Sequence, residues 1–129
     1  MKTQKIYCIA CRRMVDAEQR TGAEIYPARA DLAASRFYRC PTCGNYVGTH
    51  RDGRPLGTIP PPELRNYRRQ VHAVIDTYWL PTKDTNKRKE LYADLSRLLG
   101  RKYHTGTLGT VEECQQVIKY YVDNYRNRI

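Results

Sequence analysis

After residue 60, apolar residues recur every three or four positions. Leu64, Tyr67, Val71, Val74, Ile75 and Tyr78 share one side of a helix predicted from about 62 to 79. A second helix is predicted from Asp84 or Thr85 to Leu99, with Leu91, Leu95, Leu98 and Leu99 inward and Gly100 as its stop. The third opens on a Thr110 and Glu113 capping box and carries Cys114, Val117, Ile118, Tyr121, Val122 and Tyr125 on one face. Before residue 60 the pattern shortens. β-like runs at Lys5 to Tyr7, Met14 to Asp16, Glu24 to Tyr26, Phe37 to Arg39 and Asn45 to Val47 are separated by turn residues such as Thr21-Gly22. Residues 50 to 62, HRDGRPLGTIPPP, are rich in glycine and proline and read as an extended connector. The pattern predicts an α+β protein, with a β-rich ribbon and connector over residues 1 to 59 and, over residues 60 to 129, a bundle of about three helices packed with it.

The cysteines change that picture. Cys8, Cys11, Cys40 and Cys43 form two C-x-x-C pairs, and Cys114 stands apart on the third helix. A disulfide scaffold spreads its cysteines along the chain, whereas paired C-x-x-C knuckles aim four sulfurs at one ion, the usual layout of a structural zinc site. Cys8, Cys11, Cys40 and Cys43 are therefore the expected ligands of one Zn2+. The second pair runs Cys40-Pro41-Thr42-Cys43-Gly44, with proline to set the turn and glycine free to take a positive φ. The first, Cys8-Ile9-Ala10-Cys11-Arg12, lacks both aids, and the 28 residues between the pairs exceed the usual spacing. Cys114 reads as a small buried apolar residue.

Charge narrows the partners. The chain has 129 residues, with 23 Lys and Arg against 13 Asp and Glu, a net charge of +10. Ten basic and five acidic residues precede position 60, and thirteen and eight follow, so each half carries +5 and no basic tail can be detached. Such an excess suits a polyanionic partner or keeps a small protein soluble. No stretch approaches the roughly 18 apolar residues of a membrane span, and the N-terminal residues lack the apolar core of a signal peptide, so the expected setting is cytosolic with no membrane partner.

On the first helix, Arg65, Arg68, Arg69 and His72 read as the polar side, the strongest basic helical face in the chain, and Asp76 follows His72 by one turn. Arg65, Arg68 and Arg69 are the candidate partner-binding residues. Lys87, Arg88 and Lys89 crowd the start of the second helix, where solvent is expected to screen them from the dipole. Eleven tyrosines accompany one phenylalanine and one tryptophan. Most should pack at the edges of the core with their hydroxyls in water. Tyr38 and Tyr46, flanking the second knuckle, are the candidates for stacking on bases.

Taken together, Cys8-x-x-Cys11, Ile25-Tyr26, Tyr38-x-Cys40-Pro41-x-Cys43-Gly44, Tyr46-Val47-Gly48-x-His50, Pro55-Leu56-Gly57-Thr58, Glu63-Leu64-Arg65, His72-x-x-x-Asp76-x-x-Trp79 and His104-x-Gly106 resemble a family of small zinc-finger-containing proteins of unknown function, common in phages and prophages. The resemblance implies a zinc finger with a helical C-terminal part and a mobile-element origin. The sequence departs from the family pattern at Thr105 and in its Pro60-Pro61-Pro62 run.

Catalysis is not expected. His50, His72, Asp76 and His104 are the residues available for a second metal or acid-base site, and their spacing matches no nuclease motif. A four-thiolate zinc leaves no position for water. Two binding readings remain. One is a nucleic-acid-binding zinc ribbon acting in phage transcription or replication. The other, slightly favoured, is an inhibitor of the host cytoplasm that docks on a defence protein or nucleoprotein such as a CRISPR effector and blocks it sterically. A metal-dependent nuclease is the third.

Overall fold

Alternating buried and exposed positions build the N-terminal strands. Strand β1 (Thr3–Cys8) turns Ile6 and Cys8 inward and Lys5 and Tyr7 outward, and β2 (Arg13–Thr21) buries Val15 and Ala17. They pair antiparallel with Ile6 opposite Val15. Strands β3 (Arg36–Arg39) and β4 (Tyr46–Gly48) extend the sheet in the order β1-β2-β3-β4, with Tyr38 opposite Val47. The computed structural model describes residues 2–128 and divides between Pro62 and Glu63 into two compact units.

Residues Glu24 to Tyr26, expected to extend, instead belong to a helical turn, α1 (Gly22–Ile25), and its cap. The Glu24 carboxylate accepts from the Thr21 N–H at 3.0 Å, which closes the chain on itself. Gly22 donates to the Ser35 carbonyl at 2.7 Å, and a Cβ at Gly22 would stand 1.6 Å from the Leu32 carbonyl oxygen. Only glycine fits that approach, so the segment doubles back before β3 begins.

The connector is also more integrated than its composition suggests. Its Ile59 is fully buried and bridges Cys8 in parallel, donating to the Tyr7 carbonyl at 2.9 Å and accepting from Ile9 N–H at 3.0 Å. With Ile6, Val15, Ala17, Tyr38 and Val47 it forms the core of this unit. Burial of such side chains contributes about 1.5–3 kcal/mol each before entropy is counted.

In the C-terminal unit, helix α2 (Pro62–Ile75) starts on a proline and buries Leu64, Arg68, Val71 and Ile75. The predicted helix ran to 79. The chain tightens after Ile75 into 3-10 turns at Asp76–Tyr78 and Leu80–Thr82, and the Thr77 hydroxyl takes the Val74 carbonyl at 2.6 Å. Helix α3 (Thr85–Leu99) is capped by Asp84, whose carboxylate accepts from the Asn86 and Lys87 N–H groups, and stops at Gly100 with φ +71°.

Helix α4 (Val111–Asn124) is capped by the Thr110 hydroxyl, which accepts from Glu113 N–H at 3.1 Å. The return half of the capping box is displaced by one residue. Glu113 accepts from Gly109 N–H at 2.8 Å because its carboxylate is also drawn to Arg101 at 2.8 Å. Tyrosines fill the core of this unit and do not merely edge it. Tyr103, Tyr121 and Tyr125 are buried, with hydroxyls bonded to Thr105 (2.7 Å), Thr77 (2.9 Å) and Asp94 respectively. No helix among the described residues is long and apolar enough to cross a membrane.

Candidate metal centre

Two turns bring four sulfurs together. In the second knuckle Gly44 N–H returns to the Cys40 carbonyl at 3.0 Å with Gly44 at φ +78°. The first knuckle reaches a similar turn without glycine. Arg12 N–H bonds the Ile9 carbonyl at 3.3 Å, and Arg12 itself takes φ +55°. Arg13, first residue of β2, donates to the Thr42 hydroxyl at 3.1 Å and ties the two knuckles.

The sulfurs of Cys8, Cys11, Cys40 and Cys43 all lie within 4.8 Å of one another. Cys8 and Cys43 are 3.5 Å apart and Cys11 and Cys40 3.8 Å apart. A tetrahedron with Zn–S bonds of about 2.3 Å has edges of about 3.8 Å, so the cluster matches the ion. The donor chemistry agrees. Burial pushes the Cys8 thiol up to about 12, opposed by the Cys11 backbone N–H, and burial likewise raises Cys11. Burial works against Cys40 too, yet the N–H groups of Cys43 and Thr42 overcome it and hold that thiol at about 7. The backbone favours the thiolate of Cys40, and Cys8 and Cys11 are driven to ionise when a cation replaces their protons. The 28-residue gap between the pairs is taken up by β2, α1 and β3, and that excursion returns Cys40 beside Cys8.

A family model described as a zinc-finger-containing domain matches residues 4–124. The chain belongs to that family. The zinc-finger-containing domain thus spans both units, and its four cysteines hold one structural zinc ion. No curated protein and no solved structure matches it.

The other predicted residues are placed differently. Arg68 is 7% exposed, and its Nε and a terminal nitrogen donate to the Leu108 carbonyl at 3.0 and 2.8 Å. This corrects its assignment to a binding face: four residues after Leu64 and three before Val71, Arg68 lies on the buried stripe. Desolvation holds its guanidinium down at about 10. Arg65 is half-buried and Arg69 exposed. His72 and Asp76 do meet, Nδ1 to carboxylate at 3.2 Å, while Trp79 donates to the other carboxylate oxygen at 3.1 Å. His50 and His104 are exposed, and among the described residues neither they nor the His72 and Asp76 pair belong to a group able to hold a metal ion.

Lys87 and Arg88 lean on aromatic rings rather than solvent alone, Lys87 5.3 Å from the Tyr78 centroid and Arg88 4.7 Å from that of Tyr92. Tyr38 is fully buried and unavailable to a base, and Tyr46 packs edge-on against Tyr26 and Phe37. Cys114 is buried, and burial raises its thiol to about 11.

Sequence reasoning missed a charge asymmetry in the N-terminal unit. Each of its five carboxylates is held by a base: Asp16 by Lys5, Glu18 and Glu24 by Arg20, Asp31 by Arg29 and Asp52 by Arg54. Lys2, Arg12, Arg13, Arg36, Arg39 and Arg51 stand outside these pairs. Charge composition is visible in a sequence, but which cations the acids consume is visible only after folding.

Proposed function

We propose that this zinc-finger-containing domain is a non-catalytic binding protein whose N-terminal unit holds nucleic acid through its phosphates. The observation that carries the reading is that each of that unit's carboxylates is paired with a base, which leaves six of its described Lys and Arg side chains outside any carboxylate pair. Zn2+ with four thiolates has a formal charge of −2, which Arg12, Arg13 and Arg39 lie near enough in sequence to offset. The unit keeps a net +3 after that correction, and the surplus suits a polyanion. A non-catalytic role is supported by the closed tetrahedral shell of the zinc and by the His72 and Asp76 pair, which offers two ligands where a catalytic zinc uses three.

The test is fluorescence anisotropy with single-stranded and duplex oligonucleotides across a salt series. Binding should weaken linearly on a log-log plot, by about 0.7 per phosphate contact on a single strand and about 0.9 on duplex DNA. The competing reading, an inhibitor docked on a host defence nucleoprotein, predicts no intrinsic salt-dependent binding and a protein partner that stays bound in lysate after nuclease treatment. That pair of results would overturn the proposal. Replacing Arg65 and Arg69 by Ala tests the helical face separately and should leave the salt slope of oligonucleotide binding unchanged, since the reading places the phosphate contacts on the N-terminal unit.

A further inference from the structure

Away from the metal centre, the far end of the β3–β4 hairpin holds a cleft of about 390 Å³. Ser35, Arg36 and Phe37 line it at the start of β3, and Thr49, His50 and Arg51 line it after β4. Its volume falls in the range of about 300–1,000 Å³ typical of small-ligand sites. The lining offers two guanidinium groups, an imidazole and two hydroxyls, and includes no carboxylate. The adjacent Asp52 is committed to Arg54, accepting its backbone N–H at 3.0 Å and its Nε at 2.6 Å.

The basic wall is pre-formed. A tight turn joins His50 to Arg54, with His50 N–H on the Arg54 carbonyl at 2.8 Å and Gly53 N–H on the His50 carbonyl at 3.0 Å. Arg36 donates a terminal nitrogen to the Arg51 carbonyl at 3.1 Å and rests on Gly53. Gly53 has φ +90°, and a Cβ there would stand 3.3 Å from an Arg36 nitrogen. The turn therefore presents a bare backbone on which the guanidinium lies. Phe37 is fixed as well, edge-on to Tyr26 and Tyr46 at 5.8 and 5.7 Å. The zinc site does not account for this charge, since Arg36 lies four residues along the strand from Cys40. That is about 13 Å at ~3.3 Å per residue, beyond the ~8 Å screening length of physiological salt.

We propose that this cleft binds one phosphorylated nucleotide of a single-stranded nucleic acid, with its phosphate on Arg36, His50 and Arg51 and its base against Phe37. The volume and the aromatic wall favour a nucleotide over a bare phosphate. A base reaches such a wall only when it is unstacked, which favours a single strand over a duplex. The inference rests on the nucleic-acid reading above and gives it an address.

NMR titration of the zinc-loaded protein with thymidine 5′-monophosphate tests it. The His50 ring, the Arg36 and Arg51 Nε–H and the Phe37 ring resonances should shift together and saturate. Inorganic phosphate should move the basic groups about ten-fold more weakly and leave Phe37 in place. Arg51→Ala, whose side chain is exposed and whose backbone carbonyl still holds Arg36, should weaken nucleotide binding about ten-fold. Gly53→Ala, which crowds Arg36, should act in the same direction. Equal affinity for phosphate and nucleotide, shifts mapping elsewhere, or unchanged binding by Arg51→Ala would overturn the proposal. If oligonucleotides bind with the expected salt slope while the cleft resonances stay still, the cleft fails and the nucleic-acid reading stands. If no oligonucleotide binds, both fail.

Discussion

Arg12 sits in a left-handed conformation, φ +55°, at the place where the second knuckle has Gly44 at φ +78°. Arg12→Gly removes that strain, and its net effect follows from three contributions. A non-glycine residue in the left-handed region costs about 1–2 kcal/mol. Glycine gives back about 0.5–1 kcal/mol through the greater freedom of the unfolded chain. Loss of an exposed positive charge beside the zinc thiolates costs a further few tenths, about 0.3 kcal/mol. Arg12→Gly should therefore stabilise the zinc-loaded N-terminal unit by about 0.5 kcal/mol, or roughly 2–4 °C in melting temperature for a unit of this size. Arg12→Ala isolates the strain, because alanine loses the charge and keeps the conformation, and it should fall slightly below the parent. Urea denaturation with excess zinc, read by amide exchange at Ile6 and Val15, localises the effect to the sheet. A glycine variant no more stable than the alanine variant would refute the argument.

Two further outcomes concern the C-terminal unit. Arg68→Met should destabilise it by about 1–3 kcal/mol, because the buried Leu108 carbonyl is left without its partner while relief of the guanidinium's desolvation offsets part of the loss, and Trp79 fluorescence during unfolding checks this. Oligonucleotide binding should be unchanged in the folded fraction. Glu113 is held below its ordinary value of 4.5, first by Arg101 and then by the Gly109 N–H. Its stabilisation is thus complete above about pH 4.5 and is lost as pH falls through the lower folded value. Glu113→Gln should cost about 1 kcal/mol at pH 7 and progressively less below pH 4.5, measured as the gap between the two denaturation curves across pH.

The metal ligands were legible because cysteine pairs at a two-residue interval have few other uses in a reduced chain. The helix boundaries were legible where a local signal marks them, as at Asp84, Gly100 and Thr110. The misreadings have tertiary causes. Glu24 to Tyr26 has strand-like composition, but the close packing of Gly22 against the Leu32 carbonyl folds it into a turn. Arg68 occupies an apolar spacing position, yet residue type argued for the surface, and only the Leu108 carbonyl across 40 residues explains its burial. The cleft was hidden for the same reason. Arg36 and Arg51 are fifteen residues apart in the chain and meet through the antiparallel pairing of β3 with β4.

The central claim, that one zinc ion on Cys8, Cys11, Cys40 and Cys43 holds the N-terminal unit together, is tested most directly by amide hydrogen exchange in β1 to β4 before and after chelation, with metal counted in the same samples. Zinc-finger peptides bind zinc with apparent free energies of about 10–16 kcal/mol, more than a unit of this size has to lose. One zinc per chain before chelation, loss of strand protection with loss of the metal, and a Cys114→Ser variant that keeps both is the expected result. Strand protection that persists in metal-free protein would contradict the account.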